Sequence, residues 1–154
     1  MHVPEVIMLP FHTDRLIVRP PEPSDLPTLV AILGDAEVMK LALYERPFSE
    51  REARRFIESD FARDAADVTR LGVVCRRSHA APMGFAGIFP CLYLPGELEF
   101  GFVFAAHAHG QGFATEVGQK FIDVGLRELG RPECMRCATR TMSRHGKCFC
   151  ESSA

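Results

Sequence analysis

The chain has 154 residues, long enough for one domain with a buried core, and is 47% hydrophobic and 25% charged, as ordinary globular proteins are. A formal net charge of −2 gives no basis for broad electrostatic attraction to nucleic acid, and no window approaches the roughly 20 apolar residues of a membrane span. The start, Met1-His2-Val3-Pro4-Glu5, lacks the basic opening and apolar core of a secretory signal, so the expected location is the cytoplasm.

After an irregular arm, Thr13-Asp14-Arg15-Leu16-Ile17-Val18-Arg19 reads as a short strand, with Leu16 and Val18 on one face and Ile17 on the other. Pro20, Pro21 and Pro23 end it. A helix then starts at Pro23 or Ser24 and runs through Leu33, with Gly34 as its stop and Leu26, Leu29, Val30 and Leu33 as its apolar face. Ser49-Glu50-Arg51-Glu52 is a capping box, and the helix it opens is expected to reach about Ala66, with Ala53, Phe56, Ile57 and Phe61 inward. Arg54, Arg55 and Glu58 read as its solvated face.

Leu71 to Arg76 is almost continuously apolar, which suits a strand buried on both sides. A turn over Ser78 to Pro82 leads to an antiparallel partner at Met83 to Phe89, where Gly84 and Gly87 allow close approach of neighbours. Pro90 to Gly96 is a loop. In the next strand Leu98, Phe100, Phe102 and Phe104 recur at period two, leaving Glu99, Gly101 and Val103 on the opposite face. His107, His109 and the run Gly110-Gln111-Gly112 follow, and then an amphipathic helix through Leu129 that carries Val117, Phe121 and Val124. Strand, glycine loop and helix N-terminus together form an anion site, because bare N–H groups and the helix dipole point the same way. A Walker A loop is excluded, since no Gly-Lys-Ser/Thr follows, and the dinucleotide pattern Gly-x-Gly-x-x-Gly is missing. Cys134 to Thr139 is a further short strand.

There are six cysteines. Cys134 and Cys137, three apart, would point to opposite faces of a strand. Cys148 and Cys150 with His145 could make a small zinc site, but irregular spacings favour thiols, and no metal is expected.

The run Glu99-Phe100-Gly101-Phe102 followed by Gly110-Gln111-Gly112-Phe113-Ala114-Thr115-Glu116 resembles the coenzyme-A loop of the GNAT acyltransferase superfamily, specifically the branch that includes ribosomal-protein-alanine N-acetyltransferases. Thr13-Asp14-Arg15-Leu16 and Asp35-Ala36-Glu37-Val38-Met39 are similar to further segments of that branch. His109 stands where the superfamily usually has Gln or Arg. The resemblance covers roughly residues 12 to 140 of what reads as one domain spanning 1–154. It implies an α+β fold with a central mixed, mostly antiparallel sheet flanked by helices. The family's Asn-x-x-Ser helix and last two strands have no counterpart in Ser143 to Ala154, so the usual final strands are expected to be missing.

The resemblance also implies acetyl-CoA as co-substrate and a primary amine, on a protein N-terminus or a small molecule, as acceptor. N–H groups of Gln111, Gly112, Phe113, Ala114 and Thr115 would hold the diphosphate beside Gly110. A strand N–H near Val103 or Phe104, next to Phe102, would polarise the thioester carbonyl. His107 and His109, flanking the loop, read as phosphate or ribose contacts or as plain loop residues, and Glu116 as a capping or pairing residue. Glu99 is either the proton acceptor or a solvent-facing strand residue. The alternative reading is a catalytically weak or inactive CoA-binding domain, altered at its C-terminus. An exposed sheet edge would favour a homodimer through residues 134 to 154. Neither a nucleic acid nor a membrane is expected as partner.

Overall fold

A computed structural model describes residues 9–40, 42, 45–61, 70–90, 98–128 and 135–137, and the structural statements below concern these. The strands are β1 (Phe11–His12), β2 (Leu16–Arg19), β3 (Arg70–Arg76), β4 (His79–Pro90), β5 (Leu98–Phe104) and β6 (Met135–Cys137), and the helices are α1 (Leu26–Leu33), α2 (Ala36–Met39), α3 (Glu50–Phe61) and α4 (Phe113–Glu128). The strands form one sheet in chain order, antiparallel from β1 through β5 and parallel between β5 and β6. The mostly antiparallel α+β arrangement expected from the sequence is present. The expected absence of final strands falls on residues 138–154, outside the described ones, as do Cys148, Cys150 and His145, the alternative zinc ligands that the sequence reading sets aside.

Alternation along the strands sorts the core into two layers. On one face, Leu16, Val18, Val74, Phe100 and Phe104 pack with Phe113, Val117 and Phe121 of α4. On the other, Val73, Cys75, Phe85 and Val103 pack with Leu29 and Leu33 of α1 and with Ala53 and Ile57 of α3. β3 is buried on both sides, as its unbroken apolar run requires. Gly84 lets β4 and β5 approach, because a Cβ there would collide with the Val103 carbonyl oxygen and the Phe104 backbone.

The helix starts follow the expected chemistry. Ser49 and Glu52 form the reciprocal box, with the Ser49 N–H donating to Glu52 Oε2 at 2.8 Å and the Glu52 N–H to Ser49 Oγ at 3.2 Å. Arg46 and the Ser49 N–H hold the Glu52 carboxyl down at about 2. Asp35 accepts from the N–H groups of Glu37 and Val38, starting α2. Before α1, a short 3₁₀ turn at Pro23–Asp25 brings the Asp25 carboxylate, 2% exposed, onto the Arg19 guanidinium through two bonds of 2.8 Å. Burial pushes the Asp25 carboxyl up, but the bonds from Arg19 and the Glu22 N–H outweigh it and leave it below its ordinary value.

Two details differ from the sequence reading. The turn expected over Ser78 to Pro82 is shorter, since β4 already starts at His79, and a bulge takes up the extra residues: Cys75 faces Pro82 while Val74 faces Gly84. The arm before Thr13 supplies β1, which pairs Phe11 with Val18.

Candidate active site

β5, the loop after it and the start of α4 are consecutive in sequence and adjacent in space. Between β5 and α4 lies a short 3₁₀ turn, Ala106–Ala108, and then the two glycines. Gly110 and Gly112 have φ of 73° and 79°, the left-handed region that costs a side-chain-bearing residue about 1 kcal/mol or more. A Cβ at Gly110 would meet open space. The first helical bond of α4 runs from the Glu116 N–H to the Gly112 carbonyl at 3.0 Å. The N–H groups of Phe113, Ala114 and Thr115 therefore precede the ladder, and no acceptor for them appears among the described residues.

β5 pairs with β4 along its whole length but with β6 only from Leu98 to Phe100. Among the described residues, the outer edge of Gly101 to Phe104 is unpaired. The Ala105 N–H donates to the Met83 carbonyl at 2.8 Å, toward β4. Antiparallel alternation then turns the main-chain groups of Phe104 and Phe102 toward the open edge, and those of Val103, opposite Phe85, toward β4. Of the two strand N–H groups that the sequence reading offers, that of Phe104 faces the open edge, whereas that of Val103 is turned to the neighbouring strand and its side chain is buried.

The His109 ring is used inside the protein. Its Nε2 lies 2.8 Å from the Phe104 carbonyl oxygen, which can only accept, so Nε2 carries the proton. Gln111 is likewise engaged at both ends of its amide, Nε2 donating to the His107 carbonyl at 2.9 Å and Oε1 accepting from Arg76 at 2.8 Å. The Phe113 side chain is 2% exposed, with the guanidinium carbons of Arg15 and Arg76 at 4.4 and 5.0 Å from its ring centre. What Gln111 and Phe113 offer a ligand is backbone.

Glu116 pairs, as expected. It accepts from Thr13 Oγ1, from the Arg15 N–H at 3.1 Å and from Arg15 Nε at 2.8 Å, tying α4 to the start of β2. Burial raises its carboxyl, but these bonds dominate and hold it below the usual range. Its negative charge is thus neutralised by the Arg15 guanidinium. Sequence reasoning missed Arg15 and Arg76 as neighbours of the loop. Only the pairing of Leu16 with Arg76 brings them together, although Arg15 sits within the Thr13-to-Leu16 segment that carries the resemblance.

Glu99 stands on β5 between Phe89 of β4 and Arg136 of β6, one residue before the last pair joining β5 to β6. Its side chain is outside the described residues. Among the described residues, no group of three His, Cys, Asp or Glu is placed to hold a metal ion, and no helix is long and apolar enough to cross a membrane.

Among solved structures, the chain is similar to an acetyltransferase from Agrobacterium tumefaciens str. C58, at 19% identity over 80% of this chain and 70% of that one, with a TM-score of 0.68. A GNAT family acetyltransferase from Bacillus anthracis is 23% identical over 84% of this chain and 71% of that one, with a TM-score of 0.65. Spermidine N-acetyltransferase from Vibrio cholerae, solved in complex with CoA and spermine, is 20% identical over 79% of this chain and 69% of that one, with a TM-score of 0.60. At such identities these likenesses establish the fold. No curated protein sequence matches significantly. A family profile described as an acetyltransferase (GNAT) domain matches residues 15–144, which includes every element of the candidate site. The chain belongs to the GNAT acetyltransferase family and is an enzyme of that acetyl-transferring kind.

Proposed function

We propose that this protein transfers an acetyl group from acetyl-CoA to a primary amine at the cleft between β5, the glycine loop and α4. The observation that carries the reading is an open helix start beside an open strand edge. The N–H groups of Phe113, Ala114 and Thr115 lack protein acceptors among the described residues, directly after Gly110 and Gly112. That arrangement fits a diphosphate, since the donors are bare, the glycines remove bulk, and the α4 dipole favours negative charge. The edge of Phe102 and Phe104 fits the amide-bearing arm of the same molecule, which can pair with a strand.

The residues would divide the work as follows. Gln111, Gly112, Phe113, Ala114 and Thr115 hold the phosphates through backbone N–H groups, and Gly110 keeps the approach clear. The Phe104 N–H points where negative charge develops on the acyl oxygen, which lowers the barrier because the donor is fixed beforehand. His109 holds the Phe104 carbonyl and so steadies that donor. Glu99, at the point where β5 and β6 part, takes a proton from the acceptor's ammonium, directly or through water, so that the neutral amine can attack the acyl carbon as the C–S bond breaks and CoA leaves as its thiol. When bound, acetyl-CoA supplies the activated acyl group.

For the acceptor, the resemblance to the ribosomal-protein-alanine branch supports a protein N-terminal amine. The spermidine N-acetyltransferase among the similar structures supports a small amine as the second class. The reading also takes the protein to be a cytoplasmic homodimer associating through residues 134 to 154, which sedimentation under reducing conditions tests; a stable monomer at tens of micromolar contradicts it. A thiol-release assay over a panel of peptide N-termini and small amines tests the activity. Glu99→Gln is expected to leave acetyl-CoA affinity nearly unchanged while cutting turnover by ~100-fold or more. Turnover within a few-fold of the parent would assign the proton to another acceptor.

A further inference from the structure

The sequence reading gives Arg76 no role beyond closing β3, yet it reaches the glycine loop from the end of that strand. The register change around Cys75 and Arg76 sets the end of β3 off from β4. Arg76 lies on the same strand face as Val74, the face covered by α4. From there it touches residues on both sides of Gly112. Its Nη2 donates to Gln111 Oε1 at 2.8 Å, and its guanidinium carbon lies 5.0 Å from the Phe113 ring centre. Gln111 passes the restraint on, its Nε2 donating to the His107 carbonyl at 2.9 Å. Arg76 has no carboxylate partner among the described residues, unlike Arg15 beside it, which pairs with Glu116.

We propose that Arg76 is a positioning residue for co-substrate binding: with Gln111 it braces the glycine loop in its binding form before the ligand arrives. The physical need is plain. Gly110 and Gly112 permit the left-handed turns that bare the loop N–H groups, but each glycine also widens the range of conformations the free loop can visit. Ordering such a loop on binding lowers affinity, and a restraint already present in the free protein removes part of that loss. A planar guanidinium suits the task, since it can hydrogen-bond in its plane to Gln111 while stacking its face on Phe113. A lysine offers a point charge without the flat face. This inference rests on the acetyl-CoA reading above.

The test is a cycle of variants, Arg76→Ala, Gln111→Ala and the double, titrated with acetyl-CoA, with Arg76→Lys alongside. Each single variant is expected to raise the acetyl-CoA Kd by about 5- to 10-fold, with the KM for acetyl-CoA rising far more than the KM for the amine. The double variant should lose clearly less than the sum of the two single losses, because both singles already remove the contact that joins Arg76 to Gln111. Arg76→Lys should recover only a minor part. Affinities within two-fold of the parent would overturn the brace. So would additive losses, or full rescue by lysine, which would reduce Arg76 to a charge. Gln111 is exposed, so its alanine variant keeps the test open even where a change at Arg76 disturbs folding. A parent protein that takes no acetyl-CoA overturns the co-substrate reading itself, whereas binding that ignores both residues overturns only the brace.

Discussion

Two helix starts in this molecule are built from opposite rules. α3 begins on Ser49 and Glu52, which satisfy each other's backbone N–H groups and carry an acidic residue into the first turn. α4 begins on Gly112, which has no side chain to cap with, and its first acidic residue, Glu116, is turned away onto Thr13 and Arg15. The starts of α2 and of the Pro23–Asp25 turn follow the α3 rule, on Asp35 and on Glu22 with Asp25. A helix whose N–H groups are satisfied by its own chain gains stability; one whose N–H groups are left bare can offer them to an anion. α1 continues directly from the Pro23–Asp25 turn and has no side-chain cap of its own, so the contrast is between the capped starts of α2 and α3 and the start of α4, left bare beside the glycine loop.

The largest effect should come from closing the open start. Gly112→Asp places a β-carbon in a left-handed turn and a carboxylate among the phosphate donors, so acetyl-CoA affinity should fall at least ~100-fold in a protein that still folds. Titration calorimetry reads this directly, and a folded variant of unchanged affinity would refute the loop assignment. Breaking a closed start should do the reverse, harming the fold and sparing the ligand. Arg19→Ala strands the Asp25 carboxylate, 2% exposed, without its guanidinium, and should cost about 3 kcal/mol in chemical denaturation.

Much of this contrast could be read before any coordinates. The Ser49 box, the alternation of Phe100, Phe102 and Phe104, and the span of α4 follow from local chemistry that each segment carries itself. The close approach at Gly84 was also legible, because a glycine inside a strand signals a tight neighbour. What could not be read depends on register. The stacking of Arg15 and Arg76 on Phe113 needs Leu16 to face Arg76 across two strands, and no local pattern encodes that pairing. His109 reads from the sequence as a phosphate or ribose contact or a plain loop residue, and no local pattern foretells that its ring meets the Phe104 carbonyl. β1 and α2 are too short for any periodicity to show.

The smallest effects sharpen the comparison. Ser49→Ala should destabilise the protein by about 1 kcal/mol and leave acetyl-CoA affinity where it was. The same cap predicts an acid response. The Glu52 carboxyl is held at about 2 against an ordinary 4.5, so its contribution is complete above about pH 4.5, declines as pH falls, and is gone near pH 2. Glu116, also depressed, adds to the loss in the same direction. Stability measured from pH 6 downward should therefore fall less steeply in Glu52→Gln than in the parent; identical slopes would remove Glu52 from the acid response.

The central claim is that the bare N–H groups at the start of α4 hold the co-substrate. Amide chemical-shift mapping measures it most directly, and at 17.2 kDa the chain is well suited to it. On titration with acetyl-CoA, the amides of Gln111, Gly112, Phe113, Ala114 and Thr115 should move most, with Phe104 following along the strand edge. Those of Glu50, Arg51 and Glu52, at the capped start of α3, should stay in place. Binding that shifts other amides and leaves Gln111 to Thr115 unmoved would contradict the account.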